Sequence, residues 1–282
     1  MKIIKSARDT HKEIQSLKKE NKSIGFVPTM GALHDGHLSL VSQSLQENDI
    51  TVVSIFVNPL QFGENEDLDN YPRPFDSDRQ LLENPGIDIL FYPPVEEMYP
   101  PDNLTRVIIK KLPDYLCGAK RPGHFEGVAT VVTKLFNIVT PDRAYFGQKD
   151  YQQSVIIKRI VKDLNMYIDI RVLPTMREKN GLAMSSRNKY LSEKERTDAG
   201  LIYKSLVSAK RQIEQGERSP SVIVSNIERL ISEKAPYAKI DYISVAHPDS
   251  LEELKVIEKR AVIAVAVFFN KARLIDNILI EI

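Results

Sequence analysis

Cysteine is almost absent: the 282-residue chain has one, Cys117, which excludes an intrachain disulfide and a cysteine-based zinc site and fits a reducing compartment. A lone cysteine reads as a small buried apolar residue. Long apolar runs are missing too. The longest, Ala261–Phe269, has nine residues, far short of the ~20 that a membrane-spanning helix needs. The opening MKIIKSARDTHKE turns polar too early for a secretory signal, so the expectation is a cytoplasmic protein without a membrane partner. Net charge is also lacking, since 39 Lys and Arg meet 38 Asp and Glu for a formal +1. That excludes the basic coat of a non-specific nucleic-acid binder but not a local basic pocket.

What is present is the composition of an ordinary globular protein, 42% hydrophobic and 27% charged, unlike that of a disordered or fibrous chain. The length is about 1.9 times the ~150 residues of a typical domain, so one large domain or two unequal ones fit.

Patterning separates these options. Residues 23–27, SIGFV, read as a short buried strand. Pro28, Gly31 and Gly36 follow, and a helix starts near His37, with Leu38, Val41 and Leu45 at helical spacing, and ends near Asn48. TVVSIFV (51–57) is a continuous β-branched and aromatic run, the form of a parallel strand covered on both faces. Residues 87–92 repeat it between Pro-Gly and Pro-Pro punctuation. A stripe from Phe125 to Val139, stopped by Pro141, predicts a buried helix, and a short strand (144–146), a helix (about 151–165) and a strand (168–173) complete the series. Alternating strands and helices predict an α/β, Rossmann-like doubly wound parallel sheet, with the ligand site beyond the carboxyl ends of its strands.

After Met176 the texture changes. Ser192-x-x-Glu195 is a capping box, Ser219-Pro220 reads as an N-cap with proline in the first turn, and strand-like runs occur at 240–245, 261–269 and 277–282. This predicts a smaller α+β C-terminal domain, dividing the chain into residues 1–176 and 177–282.

Three segments carry candidate chemistry. The first is PTMGALHDGH (28–37), between a strand and a helix. Helix N-termini expose unpaired N–H groups, and glycines let an anion approach the backbone. His34 and His37, three apart, can face the same way and donate to phosphate oxygens. A zinc reading lacks a third ligand and the H-E-x-x-H spacing. Asp35 reads as a first-turn carboxylate that complements the helix dipole, while His11 and His247 read as packed or solvated residues. The second segment is Gly147-Gln148-Lys149-Asp150, again at a strand-to-helix turn. Lys149 pairs with a phosphate and Asp150 with ribose hydroxyls or a magnesium ion, or the two are an N-cap beside a solvated lysine. The third is Met184-Ser185-Ser186-Arg187 in a polar hinge, where two hydroxyls and a guanidinium suit a clamp on a triphosphate; serine-rich loops with an arginine are common in any role. Asn58, Gln61 and Gln153 lie near strand ends, and neutral amides there suit a small substrate's hydroxyl and carboxylate groups, or are solvated. Arg121 and His124 either add positive charge or cap a loop.

PTMGALHDGHLSLV, SIFVNPLQF, YPR, RPGHFEGV, FGQKDYQQ and GLAMSSRN, in this order and spacing, resemble the bacterial pantoate beta-alanine ligases, or pantothenate synthetases. The resemblance runs from Pro28 to the C-terminal RLIDNILIEI. The H-x-G-H turn alone places the chain only in the wider nucleotidyltransferase superfamily. The resemblance implies ATP-dependent condensation of (R)-pantoate with beta-alanine through a pantoyl adenylate, with Mg2+ accompanying ATP, in a homodimer. By position it implies that Met30, Gly31, Ala32, Leu33, His34, Asp35, Gly36 and His37 bind ATP, with His37 as proton donor and His34 beside it. Gly147, Gln148, Lys149, Asp150, Met176, Met184, Ser185, Ser186 and Arg187 also belong to the ATP site. Gln61 and Gln153 hold pantoate, Gln61 also meets beta-alanine, and Asn58 lies nearby. His34, His37, Lys149 and Arg187 form the catalytic set. Asp35 stands where Glu is frequent in the family, and Gln148 where Glu is also seen. Two other readings remain: a nucleotidyltransferase acting on a phosphorylated acceptor, and a nucleotide-binding module without turnover.

Overall fold

The apolar β-branched runs become one parallel sheet in the computed structural model, which describes residues 1–64 and 66–282. Its strands are β1 (Lys2–Ile4), β2 (Ile24–Thr29), β3 (Ile50–Ile55), β4 (Ile89–Phe91), β5 (Arg143–Gly147) and β6 (Asp169–Leu173), in spatial order β1-β4-β3-β2-β5-β6. Every pairing is parallel. The helices of this part are α1 (Ala7–Lys19), α2 (Asp35–Glu47), α3 (Phe75–Glu83) and α4 (Val95–Met98). The chain then continues through α5 (Leu116–Lys120), α6 (His124–Val139) and α7 (Tyr151–Asp163).

Side-chain alternation along the strands assigns the helices to faces. Val27 and Tyr145 join one buried cluster with Leu40 and Val41 of α2 and Leu82 of α3. Their neighbours Phe26 and Phe146 meet Phe136 of α6 edge-on, each at 6.4 Å. Adjacent strand residues point to opposite faces, so α2 and α3 cover one face and α6 the other. The doubly wound architecture is as the sequence indicates.

From β2 the chain progresses through β3 and β4 in one direction and through β5 and β6 in the other, which puts the topological switch between β2 and β5. Ligands of such sheets bind at the carboxyl ends there. β2 runs two residues further than expected, through Pro28 to Thr29. A ladder on one side accounts for it: β2 pairs with β5 only at Gly25 and Phe26, whereas its pairing with β3 continues to Thr29, and proline is tolerated where no ladder hydrogen bond is demanded of it. α1 and α3 were not anticipated. Each buries little, Thr10 and Ile14 in one and Asp78 and Leu82 in the other, so neither shows a broad apolar stripe.

The described residues fall into two compact units. The first comprises Met1–Lys110, Arg121–Gly147 and Gln153–Pro174, and the second Lys111–Lys120, Gln148–Gln152 and Thr175–Ile282. A single cut of the chain therefore misses two short segments of the N-terminal half that cluster with the later residues. In the second unit, α8 (Glu193–Glu214), α9 (Pro220–Lys234) and the antiparallel sheet β7 (Lys239–Ala246), β8 (Arg260–Phe269), β9 (Ala272–Glu281) share one apolar core. Ser192 and Glu195 form both bonds of the capping box. Ser219 starts α9 but does not bond its backbone: its Oγ meets Ser221 Oγ at 2.9 Å, and Glu217 Oε1 accepts from the Ser219 amide. β9 begins five residues before the expected strand because it pairs with β8 along its full length.

Close approach at Gly127 ties α6 to the turn after β3. A Cβ built there lies 2.2 Å from Leu60 O and 2.6 Å from Gln61 N, so any side chain forces helix and turn apart. Gly127→Ala should cost about 1–3 kcal/mol, as overpacking does, and lower the melting temperature by several degrees, at about 2–4 °C per kcal/mol. Calorimetry checks this, and an unchanged melting temperature would show that the turn yields freely.

Candidate active site

The exit from β2 is sharp. Gly31 (φ 81°) and Ala32 (φ 50°) both occupy left-handed backbone, and glycine adopts that conformation at no steric cost. Ala32 is held there by a buried carboxylate. Asp78 of α3 accepts from Ala32 N and Leu33 N, each at 2.8 Å, and is 2% exposed. The loop then delivers His34 as the N-cap of α2 in extended conformation. Its Nδ1 accepts from Gly36 N at 3.1 Å, and Nδ1 of His37 accepts from His34 N at 3.3 Å, completing a capping box made of two imidazoles. A ring nitrogen that accepts cannot carry the proton, so both rings hold theirs on Nε2. The rings lie 4.0 Å apart, tilted by 31°. The result is a pair of neutral N–H donors at a helix N-terminus, beside the switch point. Asp35 is the first residue of α2 and exposed; Gly36 and Met30 are half-buried.

The turn after β3 supplies amides. Asn58 is 1% exposed and Gln61 9%. Asn58 Nδ2 donates to Gln61 Oε1 (3.1 Å) and Gly127 O (3.0 Å), while its Oδ1 accepts from Leu60 N (3.3 Å) and the Tyr99 hydroxyl (2.9 Å). Burial raises the Tyr99 phenol, so it remains a donor. Gln61 Nε2 is directed at Met30 Sδ, 2.7 Å away, which joins the loops after β2 and β3. The backbone carbonyl of Gln61 is braced from α6: His124 Nδ1 lies 2.7 Å from it and donates, since Arg121 Nη1 faces the ring's Nε2 at 2.9 Å, and Arg121 Nη2 donates at 3.3 Å. Arg121 also binds Glu66 through Nε (2.6 Å) and Nη2 (2.5 Å). Burial pushes the Glu66 carboxyl up, but this guanidinium outweighs it and holds the group below its ordinary value. Arg121 and His124 therefore brace a loop.

Gly147 ends β5 beside the switch point. Gln153 lies half-buried in the first turn of α7, whereas its neighbour Gln152 is buried and spent on structure. Gln152 Nε2 donates to Leu112 O and Tyr115 O, each at 2.8 Å.

In the second unit, Gln148–Asp150 form a 3₁₀ turn with Lys149 Nζ 3.4 Å from Asp150 Oδ1. Residues 176–184 are a tight hairpin and not an open hinge: Met184 N donates to Met176 O (2.9 Å), Arg177 bridges Ala183, and Gly181 turns at φ 94°. Met176 is 42% exposed. Ser185 caps the following 3₁₀ turn, its Oγ accepting from Arg187 N at 3.3 Å, and Ser186 and Arg187 are half-buried. Lys149 and Ser185 line one small cavity with Asp276. Sequence reasoning passed over Asp78, which carries no local signal, and the Asp276-Asn277 pair, whose signal was legible as two polar residues inside an apolar strand. Among the described residues no group of three or more His, Cys, Asp or Glu side chains is placed to hold a metal ion, and no helix is long and apolar enough to cross a membrane.

A sequence profile described as Pantoate-beta-alanine ligase matches residues 2–279. The chain is 56% identical over 281 residues to the pantothenate synthetase of Caldicellulosiruptor bescii, covering 100% of this chain and 99% of that one. Among solved structures it is similar to the pantothenate synthetase of Thermus thermophilus, with TM-score 0.92, 43% identity and 99% of each chain covered. It is also similar to the pantoate-beta-alanine ligase of Francisella tularensis complexed with beta-gamma ATP and beta-alanine, with TM-score 0.81, 40% identity, and 99% and 97% covered.

The grip of Asp78 on the loop is testable without a ligand. Asp78→Ala removes the acceptor of two backbone amides, a loss of about 1–3 kcal/mol. Hydrogen–deuterium exchange should then accelerate at Ala32 and Leu33 by roughly 10- to 100-fold, while β3 amides stay protected. Unchanged exchange would mean that other contacts shape the loop.

Proposed function

Since the chain belongs to the pantoate-beta-alanine ligase family and so joins pantoate to beta-alanine through an amide bond, we propose that it does this in two steps on one adenylate. A pantoate carboxylate oxygen attacks the α-phosphorus of ATP, the bond from that phosphorus to the bridging oxygen breaks, and pyrophosphate leaves. The beta-alanine amine, having lost its ammonium proton, then attacks the acyl carbon. The acyl carbon–oxygen bond breaks, AMP leaves, and the nitrogen sheds its remaining extra proton to give the amide.

The paired imidazoles at the head of α2 carry this reading. Nε2–H donors of His34 and His37 suit phosphate oxygens whose charge grows as pyrophosphate departs, and the α2 N-terminus adds its partial positive charge. Met30, Gly31, Ala32, Leu33, Asp35 and Gly36 complete the loop and first helical turn against which the same nucleotide rests. Gln61 and Gln153 suit the hydroxyl and carboxylate groups of pantoate, and Gln61 those of beta-alanine, while Asn58, its amide hydrogens given to Gln61 Oε1 and Gly127 O, orients Gln61 from beside the substrate. The bond from Asn58 Nδ2 fixes the direction of the Gln61 amide. Lys149 and Arg187 supply cations to the triphosphate, while Gly147, Gln148, Asp150, Met176, Met184, Ser185 and Ser186 serve the adenosine and phosphate groups. Mg2+ enters with ATP as MgATP, held chiefly by phosphate oxygens and water as its octahedral shell prefers. We place the first compact unit as the nucleotide- and pantoate-binding domain and the second, with its two short N-terminal segments, as a smaller domain of a cytoplasmic homodimer. Sedimentation equilibrium at twice the chain mass of 32.1 kDa is the expected result for the assembly.

The first half-reaction is checked by pantoate-dependent exchange of labelled pyrophosphate into ATP without beta-alanine. Folded protein with magnesium that shows no exchange would rule out the adenylate route. His37→Gln separates the two uses of that residue, because glutamine at the third helical position keeps the capping bond but offers no imidazole. Exchange should fall by roughly 10²- to 10³-fold, as when one donor to developing charge is removed, with the melting temperature nearly unchanged. Lys149→Ala should lose exchange to a similar degree.

A further inference from the structure

Between Arg273 and Glu281, strand β9 is apolar except where Asp276 and Asn277 stand side by side, 4% and 3% exposed. Buried polar side chains are costly unless bonded, and both are fully engaged. Asp276 accepts from Arg177 Nη1 (2.5 Å) and Nη2 (3.0 Å) and from Asn277 N (2.8 Å). Arg177 in turn donates to Gly181 O at 3.1 Å and stacks over the Tyr203 ring at 3.7 Å. Asp276 thereby holds the hairpin that leads to Ser185–Arg187. Asn277 spends both of its amide hydrogens on the other segment: Nδ2 donates to Gln148 O (2.9 Å) and Lys149 O (3.0 Å), and Oδ1 faces Gln148 Nε2 at 3.4 Å. One side chain thus clasps two consecutive carbonyls of the 3₁₀ turn. Only a group with two hydrogens on one atom and no charge does this without leaving a carbonyl bare or burying an ion.

We propose that Asn277 is a positioning residue for the ligase reaction: by fixing the Gln148 and Lys149 carbonyls it sets the backbone from which the Lys149 ammonium meets the leaving pyrophosphate. The proposal rests on the role read above for Lys149. Asn277 itself touches no substrate. Its neighbour Asp276 lines the cavity shared by Lys149 and Ser185, so the two adjacent residues of one strand organise both basic segments of this unit. A side chain whose anchor drifts by about 1 Å loses on the order of 10²-fold in rate, which gives the clasp a kinetic consequence beyond folding.

A double-mutant cycle tests it on the intact protein, read by pantoate-dependent pyrophosphate–ATP exchange. Asn277→Ala should slow exchange roughly 10- to 100-fold in the native background and by less than about threefold in the Lys149→Ala background, because neighbours acting through one group do not add. The pantoate KM should stay unchanged. An equal loss in both backgrounds would overturn the proposal, since a purely structural defect does not depend on Lys149. Asn277→Asp keeps volume but donates nothing to the carbonyls, and serves where Asn277→Ala does not fold. It should lose exchange to the same degree, and native exchange in this variant would equally overturn the proposal. Normal exchange by Lys149→Ala alone would instead remove the role assigned to Lys149, and the proposal with it.

Discussion

A buried carboxylate bonded to two consecutive backbone amides is the constraint on which the first unit's candidate site depends. Asp78 takes the N–H groups of Ala32 and Leu33 at the point where the chain must reverse after β2. Without that carboxyl group, two buried amides would each lose the acceptor they bond. With it, the chain passes through two left-handed residues and arrives extended at His34, so that an imidazole takes the place usually held by serine or aspartate at a helix start. The tautomer of both rings follows from that placement. The Nε2–H groups of both rings are therefore a consequence of how the helix begins.

Much of this was legible in the sequence. The β-branched runs, the stripe of α6 and the Ser192 capping box are local patterns, and they appear where the patterns put them. The H-x-G-H turn was legible as a strand–loop–helix junction because its glycines and apolar spacing are contiguous. Asp78 was not, since it lies 46 residues from Ala32 on a nine-residue helix with little apolar character. The brace of Arg121 and His124 was equally hidden: RPGHFEG reads the same whether its cation faces a ligand or a glutamate. The split of the chain eluded a linear reading because Lys111–Lys120 and Gln148–Gln152 cluster with residues far downstream. Long-range hydrogen bonds of single side chains leave no periodicity to detect.

The nearly neutral charge acquires a physical meaning. Arg121 is committed to Glu66 and Arg177 to Asp276, so these two cations near the candidate segments serve as internal fasteners. In the function proposed above, the first unit meets an anion with neutral donors, the imidazole N–H groups at the start of α2 and a side-chain amide of the turn after β3. Preoriented dipoles stabilise developing charge without the desolvation cost of an ion, and a chain built this way does not attract polyanions over its whole surface.

The β8–β9 hairpin turns in two residues, Asn270 and Lys271, with Phe269 opposite Ala272, and its register runs unbroken to Ala264 opposite Asn277. Strand side chains alternate with a period of two. One added residue in the turn would slide β9 by about 3.3 Å and exchange its faces, turning the amide of Asn277 away from the carbonyls it clasps. Surface turns ordinarily tolerate changes of length. This one acts as a ruler, and its length is as much a part of the Gln148–Lys149 geometry as any side chain that touches it.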